Sequence, residues 1–129
     1  MYVSSYPFTL KGTGAFSSNL PNRRFDSIEY TTYKVVPYVK SVSNKYTDVV
    51  GNYIETSVNR MMLEFKEDGS YLNHLLGPKK NPTTENICKW TLEKVNEMLN
   101  TFDPNSKDEM FCYKVVVQES EGNVAVYED

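Results

Sequence analysis

The clearest hydrophobic pattern in the chain lies in residues 83–102, TTENICKWTLEKVNEMLNTF. Thr83 or Thr84 can cap a helix there, and Glu85 follows in the first turn, where a carboxylate favours the helix dipole. The apolar residues that recur at steps of three and four, and so share one side of that helix, are Cys88, Leu92, Val95, Leu99 and Phe102. Because such a helix is marginal alone in water, the pattern predicts a sheet or a second helix for it to pack on.

A second amphipathic helix is predicted from about residue 47 to 65. Thr47 or Asp48 can cap it, and the glycine of KEDGS, Gly69, ends it. Its apolar stripe consists of Val50, Ile54, Val58, Met61 and Phe65. The following stretch, YLNHLLGPKKNP, predicts a short helical turn and a loop.

Alternating patterns predict strands on either side of the helices. After DPNSKDE, residues 110–118 alternate, with apolar Phe111, Tyr113, Val115 and Val117 on one face. The turn ESEGN and residues 124–127 complete a hairpin, whose strand edges are open to pairing with another chain. Upstream, residues 28–36 predict one more strand, which Pro37 either ends or marks as an edge strand.

The first residues have a different character, because Pro7, Gly12, Gly14 and Pro21 interrupt them. They predict an extended N-terminal arm with aromatic anchors. The predicted fold class is therefore α+β, two helices packed on a small antiparallel sheet. Its organisation is an arm with a candidate strand in residues 1–43 and a helix-helix-hairpin domain in residues 44–129.

Composition narrows the function classes. The 129 residues carry a formal charge of −3 with the basic residues scattered, which argues against nucleic acid as a partner. The chain has no apolar run of membrane-spanning length and no leader pattern, so we expect a cytoplasmic protein without membrane insertion. Cys88 and Cys112 lack metal-ligand spacing and are expected to be reduced and buried. Ten tyrosines suggest contacts with protein partners, or a core filled with Tyr in place of Leu and Ile.

Candidate chemistry is sparse. The one histidine, His74, lies among leucines without a neighbouring carboxylate or cysteine, so packing or a surface position explains it better than catalysis. We predict no catalytic residue, no cofactor and no metal. Trp90 lies beside the helix stripe, where core packing or an interface explains it better than a ligand stack.

The C-terminal two thirds of the chain resembles a Tctex-type dynein light chain. The resemblance covers about residues 44–126 and is carried by TDVVGNYIETSVNRMML, NICKWTLEKVNEML and FCYKVVVQESEGN. It implies two helices on one face of an antiparallel sheet, and a homodimer or heterodimer that exchanges a strand. It also implies a non-catalytic role in holding dynein intermediate chains or cargo, at a cytoskeletal or axonemal location. The last two strands of that family have no counterpart here.

Three hypotheses for function follow. The first is a non-catalytic adaptor or assembly subunit that binds partner chains through the sheet edge and the tyrosine-rich arm. The second is a small inhibitor or effector, for example viral, whose arm occludes a partner's site, and the third is a small enzyme with dispersed acids and tyrosines. We favour the first and expect no enzyme. The predicted partner-binding residues are Lys114, Val116, Gln118, Val124, Val126, Tyr6, Phe8 and Phe16.

Overall fold

The computed structural model describes residues 1–16, 27–42, 47–64, 72–77, 81–102, 109–120 and 122–129. They form five strands and three helices in an α+β fold, which confirms the predicted fold class. The strands are β1 (Tyr2–Ser5), β2 (Phe8–Phe16), β3 (Ser27–Ser41), β4 (Met110–Glu119) and β5 (Val124–Glu128). The helices are α1 (Thr47–Glu64), α2 (Leu72–Leu76) and α3 (Thr84–Phe102). Within the described ranges, no helix is long and apolar enough to cross a membrane.

All five strands belong to one antiparallel sheet with β3 at its centre. Along one edge, β3 pairs with β1 and then with β2. Along its other edge, β3 pairs with β4, and β4 pairs with β5. The final hairpin is therefore completed by β3 of the same chain, which contains the strand predicted at residues 28–36. The predicted arm supplies β1 and β2 to the sheet, while the predicted division between residues 43 and 44 stays a prediction.

The helices cover one face of the sheet. Alternate residues of β3 face them, and Tyr33, Val35 and Val39 are almost fully buried. The α3 stripe residues Leu92 and Val95 pack into the same core. Burying such side chains contributes on the order of 1.5–3 kcal/mol each, which is why the amphipathic helices need this sheet.

Strand β3 is longer than the predicted range of residues 28–36. It also continues through Pro37. The Pro37 carbonyl accepts a hydrogen bond from the Tyr6 amide, at the break between β1 and β2. The N–H and C=O groups of a strand residue point to the same neighbouring strand. The N–H that Pro37 lacks would therefore point to the break between β1 and β2, where the neighbouring strand is already interrupted.

Strand β4 contains an irregularity that breaks its predicted alternation. The register on β3 shifts between Tyr38 and Val39, so that Tyr38 pairs with Lys114 and Val39 with Cys112. Tyr113 is the extra residue, and the buried set becomes Met110, Cys112, Val115 and Val117. The predicted dry face with Phe111 and Tyr113 is therefore wrong, because a β-bulge inverts the alternation on one side of it.

A side chain of α3 closes the sheet at this bulge. Strand β5 pairs with β4 only from Lys114 to Gln118, so Cys112 lies beyond the paired stretch. There the Cys112 amide donates to Asn96 Oδ1 at 2.8 Å, and Asn96 Nδ2 donates to the Cys112 carbonyl at 3.0 Å. The Asn96 amide thus replaces a strand partner and fixes α3 on the sheet.

Candidate functional site

A polar cluster lies at the end of the sheet where β3 begins and β4 ends. Glu119, the last residue of β4, pairs with Tyr33 and is in phase with the buried Val115 and Val117. Its side chain therefore belongs to the helix-covered face. Beside Tyr33 on β3, the buried Thr31 adds a hydroxyl.

The start of α3 is tied to this end of the sheet. The buried Tyr33 hydroxyl donates to the Pro82 carbonyl, just before α3 begins. Thr83 caps the helix, because its Oγ1 accepts from the Asn86 amide at 3.2 Å. Asn86 Nδ2 in turn donates to the Asn81 carbonyl at 2.9 Å. These bonds hold the 81–86 segment in one position beside the sheet end.

Glu119 is the residue of this cluster that is free to act on a ligand. Its main chain is used in the hairpin turn, where its amide donates to the Asn123 carbonyl and its carbonyl accepts from the Gly122 amide. Its side chain is half-buried, and within the described part of the chain its carboxylate has no hydrogen bond or ion pair. A partly desolvated carboxylate with open acceptor sites is suited to bind paired N–H donors.

The two thiols are structural. Burial raises the pKa of Cys88 and of Cys112 to about 11 each. Cys88 Sγ also donates to the Val115 and Ala125 carbonyls, at 3.6 and 3.4 Å. Nucleophilic cysteines need a lowered pKa, so these thiols are poor nucleophiles at neutral pH, as the prediction of reduced, buried thiols implied.

A catalytic metal centre needs several ligating side chains in one place, where the bound ion acts as a Lewis acid. A catalytic zinc ion takes three protein ligands, usually including histidine. The whole chain has one histidine, and no group of three or more His, Cys, Asp or Glu side chains comes together in the described ranges. That histidine, His74, is exposed on the short helix α2. The described residues therefore do not fit such a centre.

A cavity of about 580 Å³ lies elsewhere, between the β1–β2 junction and α1. Ser4, Tyr6 and Phe8 line it from the strands, and Asp48 and Glu55 line it from the helix. Its volume is in the range of roughly 300–1,000 Å³ that is typical of small-molecule sites.

Five of the predicted partner-binding residues come together on the open face of the sheet. Val116 pairs with Val126, and Gln118 pairs with Val124. Val124 and Val126 are 57% and 58% exposed, and Lys114 Nζ lies 5.1 Å from the centroid of the Tyr38 ring.

The other three predicted residues lie elsewhere. Tyr6 and Phe8 pack against the core instead, and the side chain of Phe16 is outside the described residues. A role for any of the eight in partner binding stays a prediction.

The chain is thus an α+β domain with helices on one face of an antiparallel sheet and a half-buried carboxylate at a strand end. The chain belongs to the 6-pyruvoyl tetrahydropterin synthase family, whose model matches residues 31–129. The match runs from β3 to β5 and leaves β1 and β2 outside it. None of the curated proteins compared with the chain matches it.

This finding corrects the functional predictions. The resemblance to Tctex-type dynein light chains is wrong, since the matching family is a different one. The predictions of a non-catalytic adaptor, of an inhibitor or effector as its alternative, and of a protein that is not an enzyme are wrong for the same reason, because the family is one of enzymes. The error arose because a helix-helix-hairpin pattern does not reveal which strand the hairpin pairs with.

Glu119 was missed because it was assigned to the turn ESEGN. A signal for it exists in the sequence, since Val115, Val117 and Glu119 follow each other at steps of two. An acidic residue in phase with buried apolar positions at a strand end is unusual, because charged side chains are seldom placed on a buried face without a function.

Proposed function

We propose that the chain is an enzyme of pterin chemistry, a synthase that acts on the side chain at C6 of a pterin. The observation that carries the proposal is the family match over residues 31–129, which spans β3 to β5 with all three helices. The family name states the product, a tetrahydropterin with a pyruvoyl group at C6. Making two adjacent carbonyl groups there balances when a dihydropterin ring accepts the two electrons that one carbinol carbon loses and a leaving group departs from the end carbon of the side chain. Both changes proceed through proton transfers on a held substrate, so the protein must first fix the heterocycle.

The residue proposed to hold the heterocycle is Glu119. A pterin presents a ring N–H and an amino group side by side on its pyrimidine edge. A carboxylate accepts both in a bidentate arrangement, which fixes the orientation of the ring as well as its position. The half-buried carboxylate at the end of β4 offers this pairing.

The surrounding hydrogen bonds support the role of Glu119. Tyr33, its partner across the strands, is anchored to Pro82, so that the start of α3 has a defined place at the same sheet end. The Ser120 amide donates to the Thr32 carbonyl at 3.0 Å and fixes the chain directly after Glu119. With the main chain on both sides fixed in this way, Glu119 loses less conformational freedom when it binds a substrate.

The test is turnover by the purified chain. The wild-type protein is expected to form 6-pyruvoyl tetrahydropterin from a dihydropterin whose three-carbon side chain at C6 has two hydroxyl groups and a leaving group on its end carbon. Glu119→Gln replaces one acceptor oxygen by a donor that faces the donors of the substrate. Losing charge-assisted bonds of about 1.5–3 kcal/mol each lowers kcat/KM roughly 100-fold.

Glu128→Gln is the matched control, because it removes the same charge from an exposed position on β5. It should leave kcat/KM unchanged. Absence of product with the wild-type chain, or equal activity of the Glu119→Gln and Glu128→Gln proteins, would contradict the proposal.

A further inference from the structure

The cavity between the β1–β2 junction and α1 is built by two separate parts of the chain. One wall is the turn from Ser4 to Phe8, and the other is the face of α1 that contains Asp48, Gly51 and Glu55. The strand part lies outside the family match, which begins at residue 31. The cavity is therefore a feature that the family assignment does not explain.

A close approach of Tyr6 to α1 shapes the cavity. A Cβ added to Gly51 would lie 2.9 Å from Cδ1 and Cε1 of the Tyr6 ring. Only a glycine lets the aromatic ring pack directly on the helix backbone here. The half-buried ring of Tyr6 and that of Phe8 thereby supply aromatic walls.

Among the described residues that line the cavity, the charged ones have one sign. These described lining residues include no lysine, arginine or histidine, and the charged ones are two carboxylates, Asp48 and Glu55. They are seven positions apart on α1, which separates them by roughly 10 Å along the helix axis. Burial raises the pKa of the Tyr6 hydroxyl. A hydrogen bond with Ser4 lowers this pKa in part, and the charge of Asp48 raises it again, so the phenol stays neutral.

We propose that this cavity binds a flat organic cation of the amidinium or guanidinium type. A planar forked cation matches a carboxylate through two parallel hydrogen bonds, which Asp48 or Glu55 can accept. Its flat face is attracted to the ring of Tyr6 by stacking and by the cation–π interaction. The hydroxyl of Ser4 and the amide of Asn52 border the cavity and add polar contacts.

The proposed cation site is distinct from the pterin site. The Tyr6 amide donates a hydrogen bond to the Pro37 carbonyl of β3, whereas Glu119 pairs with Tyr33. Tyr33 precedes Pro37 by four residues, which is roughly 13 Å along the strand. The proposal does not rest on the proposed function, and either one can fail alone.

The test is a titration of the full chain with benzamidine, which combines a flat ring with an amidinium group. Amide chemical shifts report where it binds, and saturable shifts are expected for the backbone of residues 4–8 and 48–55. Benzamide, its neutral counterpart of nearly the same shape, should bind at least tenfold more weakly. The protein with both Glu55→Gln and Asp48→Asn should bind benzamidine about tenfold more weakly, through the loss of one charge-assisted pair, and the two single variants identify which carboxylate accepts it.

Two further variants keep the test decisive. Glu93→Gln removes an exposed carboxylate from α3, away from the cavity, and should bind benzamidine as the wild-type chain does. Gly51→Ala should abolish binding, because the added methyl displaces the Tyr6 ring, while α1 gains helix propensity and the fold persists. No saturable binding, equal binding of benzamide, or equal affinity of the Glu93→Gln protein and the protein with both Glu55→Gln and Asp48→Asn would overturn the proposal.

Discussion

The pair of hydrogen bonds between Asn96 and Cys112 should be one of the larger polar contributions to stability in the chain. Asn96 replaces the strand partner that Cys112 lacks beyond the end of β5. We predict that Asn96→Ala destabilises the fold strongly, although it removes a half-buried side chain from a helix and introduces the best helix former.

The magnitude follows from the two main-chain groups that lose their partner. Leaving a buried amide or carbonyl unsatisfied costs about 1–3 kcal/mol each. The higher helix propensity of alanine returns roughly 0.6 kcal/mol, so the net loss in the free energy of unfolding should be about 1.5–5 kcal/mol. For a chain of this size, that corresponds to a fall in Tm of roughly 6–20 °C.

Equilibrium unfolding in urea measures this loss. The single tryptophan, Trp90 in α3, reports on the helix by fluorescence, and circular dichroism reports on the whole fold. The control is Asn100→Ala, which makes the same change at an exposed position of α3. If the two variants unfold at the same urea concentration, the Asn96 bonds contribute nothing and the reasoning is refuted.

Three further predictions concern the core. Tyr33→Phe removes the hydroxyl that binds Pro82 and should cost about 1–2 kcal/mol in urea unfolding, whereas no change would mean that the start of α3 is held by other contacts. Cys88 and Cys112 should react with a thiol reagent at neutral pH only as fast as the chain unfolds, and fast labelling would contradict their burial. Their folded pKa of about 11 exceeds the ordinary value of 9.0, so the unfolded chain loses its thiol protons first as the pH rises. The resulting stability is complete below pH 9 and is lost toward pH 11, and the loss should be smaller in a Cys88→Ala, Cys112→Ala protein.

Local patterns were sufficient to predict most of the helices and strands. The predicted bounds of α3 agree with the observed ones within one residue. They follow from the apolar stripe between Cys88 and Phe102 and from the capping residues around Thr83, which depend only on residues close together in the sequence. The predicted first helix and the final hairpin agree with α1, β4 and β5 in the same way.

Features that depend on pairing between distant strands were not predictable. The bulge at Tyr113 and the passage of β3 through Pro37 depend on how β3 meets β4 and the β1–β2 break. The polar end of the sheet depends on the same pairing, since Glu119 meets Tyr33 only across the strands. No local pattern contains this information, which is why the family of the chain was misjudged.

The most direct test of the account is a titration of the purified chain with a reduced pterin, followed by calorimetry, with the Glu119→Gln and Glu128→Gln proteins beside the wild type. The account predicts saturable one-to-one binding that Glu119→Gln weakens by roughly 100-fold, through the loss of the bidentate pair, and that Glu128→Gln leaves unchanged. Equal affinity of all three proteins, or no binding by the wild-type chain, would contradict it.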